Sequence, residues 1–357
     1  MNHNFLTMKH NFLRTIPKIF FVWLLIAIQA CSDDPTPVLP LGSSGYFVVN
    51  EGGFNKSNTS ISFYDRAANK VTNDVFAAKN GRPLGDQAQS MIVYNGKAFI
   101  AVQNSSKIEV INADDFSSIK TITAGIKSPR FFLGINENKI YVSDWGADGL
   151  TGSVNVIELN TLTVTKSIPT GKGANKMVMK GDKVYVANSG GYGTESTISV
   201  IDVTSDKVVA TINTPDNPNS LAFDKDGNLW IGGNGDFVNT EPWIGKIGTD
   251  DEMDLVIDLG FMSYDYITLA MNNAGDKFYF SFAGGVYAVS TTGGSVPATP
   301  FIDKGFYGIA VDPITDEIIG TEALSFSSAG KVYVYNASGE LKNSFDVGIA
   351  PNGVAFK

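Results

Sequence analysis

Histidine and cysteine are what this chain has least of, and its basic residues are outnumbered by its acidic ones. Its two histidines, His3 and His10, fall in the first ten residues, and Cys31 is its one cysteine. With residues 1–30 set aside as a leader, the remainder has no histidine and a single thiol. That excludes Ser-His-Asp and Cys-His nucleophilic catalysis, histidine general bases and zinc sites of the usual ligand type. Removing the leader takes three basic residues (Lys9, Arg14, Lys18) from the 27 and none of the 36 acidic ones, so the net charge falls from −9 to −12. An acidic surface argues against nucleic acid and anionic lipid as partners. The apolar run Ile19–Ala30 has 12 residues, too few to span a bilayer as a helix. What the chain does have is 37 glycines and 11% aromatics, a composition suited to many short strands joined by tight turns.

The first thirty residues read as a targeting segment and not as part of the fold. A basic stretch is followed by the apolar run and then by Ile28-Gln29-Ala30-Cys31, which resembles a bacterial lipobox despite the unusual Gln29. The expectation is cleavage before Cys31 and acylation of its thiol, with Met8 as an alternative start. Residues 31–44, polar and spaced by proline, then form a flexible tether, and residues 45–357 form one folded domain. Asp33-Asp34 resembles the acidic export signal of Bacteroidetes surface lipoproteins. The protein is therefore expected on the outer membrane facing the exterior, held through its acyl chains alone.

The core is a repeat. Met177–Ile212 reads as four short strands, with Gly181-Asp182 as a type II′ hairpin turn between the first two. Segments equivalent to Val184–Ala187 recur at Tyr46–Val49, Ala98–Ala101, Ile140–Ser143, Leu229–Gly232, Phe278–Ser281 and Glu317–Gly320. Seven copies spaced by roughly 40 to 52 residues signal a propeller or solenoid. The first copy lacks an inner strand, and the chain ends with an unmatched one, Asn352–Lys357. Joining the two closes the ring and leaves no sheet edge open. The fold class expected is all-β: a single seven-bladed β-propeller of four-stranded blades.

These repeats carry a resemblance. VYVANSGG…STISVIDVTSDKVVATI is similar to the YVTN-type repeats of surface-layer and YncE-like propellers. More narrowly, YFVVNEGGFNKSNTSISFYD, Gly85-Asp86-Gln87-Ala88-Gln89-Ser90-Met91 and PRFF…KIYVSDWG resemble the BtuG-type cobalamin-capturing surface lipoproteins of gut Bacteroides. The resemblance implies a non-catalytic binding protein that captures a corrinoid and passes it to a TonB-dependent outer-membrane transporter. It implies no cofactor. A surface propeller that binds a glycan or a protein is the alternative.

In a propeller, the loops between second and third strands and from blade to blade emerge on one face. Here those loops are the long ones, and long loops on a rigid scaffold carry binding. The candidate ligand-binding residues are Asn50, Glu51, Phe54, Gln103, Arg130, Asp144, Trp145, Lys176, Asn188, Tyr192, Asn234, Trp243, Tyr266, Phe306 and Glu322. Aromatics and amides together suit a large ligand with flat apolar faces and many hydrogen-bonding groups. A carboxylate-dependent enzyme would need two of Glu51, Asp144, Asp236 and Glu322 at a working separation. Asp224-Lys-Asp226-Gly227-Asn228 mimics the start of a calcium loop, but Gly235 stands where the EF-hand pattern needs Glu. A hairpin turn accounts for it.

Overall fold

A computed structural model describes residues 44–357. The expected leader, the expected tether before residue 44 and the expected acylation at Cys31 lie outside them. The described residues form seven antiparallel sheets, blades 1 to 7, whose second strands are in order Gly45–Asn50, Lys97–Val102, Lys139–Asp144, Lys183–Asn188, Leu229–Gly233, Lys277–Phe282 and Ile318–Glu322. The inner strands of successive sheets touch all the way round, the last meeting the first.

Short continuous apolar runs dictate the blades. Valine, isoleucine and aromatic residues at consecutive positions, as in Lys183–Asn188 and Thr197–Asp202, bury a strand on both faces when a sheet stands on either side. Blade 4 is the plainest example: Ala174–Lys180, Lys183–Asn188, Thr197–Asp202 and Lys207–Asn213. Lys180 pairs with Lys183 across a two-residue turn. Gly181 has φ +57° while Asp182 stays out of the left-handed region, as a type II′ turn requires. Each blade's buried side chains meet those of its neighbour, so seven hydrophobic clusters lie between blades rather than within one.

The split blade closes the ring. Pro351–Phe356 pairs antiparallel with Gly45–Asn50, which pairs in turn with Ser60–Asp65. Blade 6 is the thinnest. Its sheet has three strands, Ala270–Met271, Lys277–Phe282 and Gly285–Ser290, and a single bridge from Ile302 to Val286 takes the fourth position. A helix without a counterpart in the repeat, Val75–Asn80, leads from blade 1 to blade 2 and buries Val75 and Phe76.

Clasps on the short-turn face tie blades together. Lys139 and Tyr141 of blade 3 both donate to Asp206 in the outer turn of blade 4. Lys183 and Tyr185 do the same to Asp251 of blade 5. Asp206 and Asp251 both adopt positive φ, which their short polar side chains tolerate. Where the ring closes, Arg66 of blade 1 pairs with the buried Asp312 of blade 7.

Candidate functional site

The opposite face opens into the central channel. A cavity of about 690 Å³ lies there, within the range of small-molecule sites. Its floor is apolar, with Val49, Met91, Ile309 and Val354. Above the floor come amides and two cations, and around the mouth stand aromatic rings.

The polar layer is built by one device repeated in five blades. The inner strands open with Ala88-Gln89, Pro129-Arg130, Ala174-Asn175, Pro218-Asn219 and Pro351-Asn352. At each of these positions the pairing with the second strand shifts, so the inner strand carries one residue more than its partner. A β-bulge re-aims side chains in this way. Gln89, Arg130, Asn175, Lys176, Asn219 and Asn352 all line the cavity.

The same side chains stitch the blades together. Asn175 Nδ2 donates to Asn219 Oδ1 at 2.7 Å, and Asn219 Nδ2 donates to the Ile267 carbonyl at 3.1 Å. Asn352 Nδ2 donates to the carbonyls of Ala88 and Gln89. Two of the amide oxygens face no donor: Asn175 Oδ1 and Asn352 Oδ1 are buried without a partner, as are Arg130 Nε and Trp145 Nε1. Buried polar atoms are normally satisfied; Asn50 Oδ1 and Asn188 Oδ1 lack a partner inside their blades, whereas these four belong to residues that line the cavity.

The Arg130 guanidinium lies over the Trp145 ring, 3.8 Å from its centroid, and donates to Gln103 Oε1. Burial holds it below its ordinary value, against the opposing pull of Glu51. Lys176 Nζ sits 5.5 Å from the Phe131 centroid. Burial pushes its amine down to about 8. Glu51 accepts from Gln89 and, at 2.8 Å, from the Tyr307 hydroxyl. Burial first, then the charge and hydrogen bond of Glu51, drive the Tyr307 phenol well above its usual value, so it stays protonated.

At the mouth, Trp145 meets Tyr192 edge-on at 5.7 Å, and Tyr307 meets Phe326 likewise at 5.1 Å. Tyr192, 70% exposed, lies against Gly149, where an added Cβ would fall 2.1 Å from the ring. Gly149 also has φ +69°, so both space and backbone require glycine there. Phe54 and Tyr266 complete the rim, and Phe237 stacks on Tyr264 outside it.

Eight of the fifteen candidate residues therefore converge: Glu51, Phe54, Gln103, Arg130, Trp145, Lys176, Tyr192 and Tyr266. The other seven are placed elsewhere, each for a physical reason. Asn50, Asp144 and Asn188 occupy one repeated position at the end of second strands, and their side chains turn sideways into their own blades. Asn50 donates to Ser60 and Ser62, and Asn188 to Thr197 and Ser199. Asp144 accepts from the backbone of Lys127, Ser128 and Gly146. Asn234 caps Ile267 N–H, and Trp243 starts a third strand inside a core, its indole bonded to the Asp216 carbonyl. Phe306 lies against Gly320 between blades 6 and 7. Glu322 is held by Lys304 and the Tyr333 hydroxyl, away from the cavity.

The Asp224 turn is a hairpin, as expected. Its carboxylate accepts from Asp226 N, Asn228 N, Asn228 Nδ2 and Trp230 Nε1. Burial opposes ionisation, but these donors hold its pKa below the usual value. No metal-binding cluster of His, Cys, Asp and Glu occurs among the described residues.

Solved structures share the architecture. A quinoprotein alcohol dehydrogenase-like protein from Bacteroides thetaiotaomicron is 19% identical, with TM-score 0.66 over 87% of this chain and 78% of that one. A protein from Lactobacillus plantarum is 16% identical, with TM-score 0.63 over 88% and 99%. Hydrazine synthase from Kuenenia stuttgartiensis is 16% identical, with TM-score 0.62 over 74% and 88%. At such identities the likeness extends to the fold alone. No curated protein matches the chain. Residues 44–350 match the model of a domain of unknown function, DUF5074, and the chain belongs to that family.

Proposed function

We propose that this propeller is a non-catalytic binding protein that captures a corrinoid in its central cavity. The observation that carries the reading is the cavity lining: amides and unpartnered polar atoms on a ring of bulges, under a rim of aromatic residues. A corrin macrocycle offers flat apolar faces to the rim and a fringe of amides to Gln89, Asn175, Asn219 and Asn352. Of the four carboxylates that could have formed a hydrolytic pair, only Glu51 lines the cavity, which supports binding over catalysis. With the lipobox-like segment ending at Cys31 and the resemblance to cobalamin-capturing lipoproteins, the proposal extends to an outer-membrane lipoprotein that delivers its ligand to a TonB-dependent transporter. Titrating the soluble chain from residue 44 with cyanocobalamin tests the ligand, and absence of binding at micromolar concentration overturns it. Recovery of a TonB-dependent transporter with the native protein tests the partner.

A second reading has its own observation. Phe237 and Tyr264 stack outside the cavity with Tyr264 84% exposed, and flat exposed rings suit the faces of sugars. Binding to a glycan array that is lost in Tyr264→Ala, with no response to cyanocobalamin, would establish it.

A further inference from the structure

We infer that Arg130 and Lys176 form an anion subsite, so that the ligand of this cavity carries a phosphate, sulfonate or carboxylate group. The inference deepens the binding reading and rests on the cavity being a ligand site.

Three charged residues line the cavity: Arg130, Lys176 and Glu51. Both cations lie near one ring. Arg130 Cζ is 6.0 Å and Lys176 Nζ 5.5 Å from the Phe131 centroid. Twelve ion pairs join the described residues, and neither Arg130 nor Lys176 takes part in any of them. Twelve of the 24 lysines and arginines beyond residue 30 make no ion pair, but only these two line the cavity. Glu51, the cavity's one carboxylate, is occupied by Gln89 and Tyr307.

Both cations are put there by the fold. They stand on the bulges of blades 3 and 4, where the pairing runs from Pro129–Asp144 to Phe132–Val142 and from Ala174–Asn188 to Met177–Val186. Two consecutive inner-strand side chains are thereby freed from the sheet in each blade. The guanidinium is held flat on Trp145 and braced by Gln103, so it is oriented before any ligand arrives, while Arg130 Nε has no partner. Glu51 draws on Arg130 without pairing with it, and burying charge without an ion pair is costly. A ligand that brings the missing anion recovers that cost, and charge-assisted hydrogen bonds in a partly desolvated site are the strong ones.

In a corrinoid the group would be the phosphodiester of the nucleotide loop, but the subsite is testable without one. The first arm uses 8-anilinonaphthalene-1-sulfonate and its uncharged counterpart N-phenyl-1-naphthylamine, which share rings and differ in the sulfonate. The sulfonate is expected to bind at least about tenfold more tightly. Lys176→Gln and Arg130→Gln should each reduce that preference, and Lys176→Arg should keep it, with circular dichroism showing all three folded. Equal affinity for the two dyes overturns the inference, as does a preference that survives both Gln substitutions. The second arm compares cyanocobalamin with dicyanocobinamide, which lacks the phosphodiester. Preference for cyanocobalamin that Lys176→Gln removes places the phosphate in the subsite. Equal binding of both corrinoids overturns that placement. If neither corrinoid binds but the dyes discriminate, the corrinoid reading fails and the anion subsite stands.

Discussion

At the scale of residues, Lys176 is where charge and stability pull in opposite directions. Its amine falls from an ordinary value of 10.5 to about 8 in the folded chain, so folding at neutral pH confines a charged group at a desolvation cost. The cost is greatest below pH 8 and is relieved as the pH rises towards 10.5, so this residue's contribution to stability improves across that window. Anion binding runs the other way. Affinity for an anionic ligand should fall several-fold between pH 7 and pH 9.5 in isothermal titrations, as Lys176 loses its proton while Arg130 keeps its own. Glu51, Tyr192, Tyr266 and Tyr307 face the same cavity, so the slope is assigned by its disappearance in Lys176→Gln. Lys176→Met should stabilise the protein by about 1 kcal/mol at pH 7 while reducing the anion preference, a trade expected of functional sites. A lower melting temperature for Lys176→Met would contradict the desolvation argument.

Two other residues separate binding from folding. Tyr192 is largely exposed at the mouth, so Tyr192→Ala should weaken ligand binding and leave the melting temperature nearly unchanged. Asp144 is fully buried and holds three backbone N–H groups. Asp144→Ala strands those donors and should cost about 2–4 kcal/mol in chemical denaturation. Trp145, beside it, supports Arg130 as well as the mouth, so its removal should register in both assays.

At the scale of elements, the strands were legible in the sequence and the bulges were not. The short apolar runs in Lys183–Asn188 and Thr197–Asp202, bounded by turn residues and recurring along the chain, report directly on strands buried on both faces. A bulge is one extra residue in the pairing and leaves no composition of its own. The mark it does leave, an Ala or Pro followed by a polar residue opening an apolar strand, becomes readable only when Ala88-Gln89, Ala174-Asn175, Pro218-Asn219 and Pro351-Asn352 are aligned. Gln89, Asn175 and Phe131 were missed for that reason. Asn50, Asp144 and Asn188 lie outside the cavity lining for the converse one: they stand at the same end of the second strands, and only the side-chain direction sends them into the blade. The Val75–Asn80 helix was too short to show a helical period. The bulge side chains also join blades, so Asn219→Ala should lower stability by about 1–3 kcal/mol and weaken binding together. A full-strength binding curve with a lowered melting temperature would mean that Asn219 is structural only.

At the scale of the whole molecule, the ring depends on the pairing of Pro351–Phe356 with Gly45–Asn50. Deleting residues 351–357 exposes the edge of Gly45–Asn50 and breaks the inter-blade cores on either side of it. The truncated chain should lose its cooperative thermal transition and aggregate on size-exclusion chromatography. Blade 6, with a single bridge in place of its fourth strand, should exchange its amide hydrogens fastest among the blades. Uniform protection across all seven would contradict that.

The split blade also decides how the propeller can be held. Gly45 begins a second strand and Phe356 ends an inner one, and the two ends lie together, Tyr46 opposite Phe356 and Lys357 N–H on the Gly45 carbonyl. They emerge on the side of the short turns, whereas Glu51 and Asn352, at the far ends of the same two strands, line the cavity. Residue 44 therefore stands on the side of the short turns, away from the cavity. A chain immobilised on a bead or sensor chip through residue 44 is expected to bind ligand as fully as the free chain.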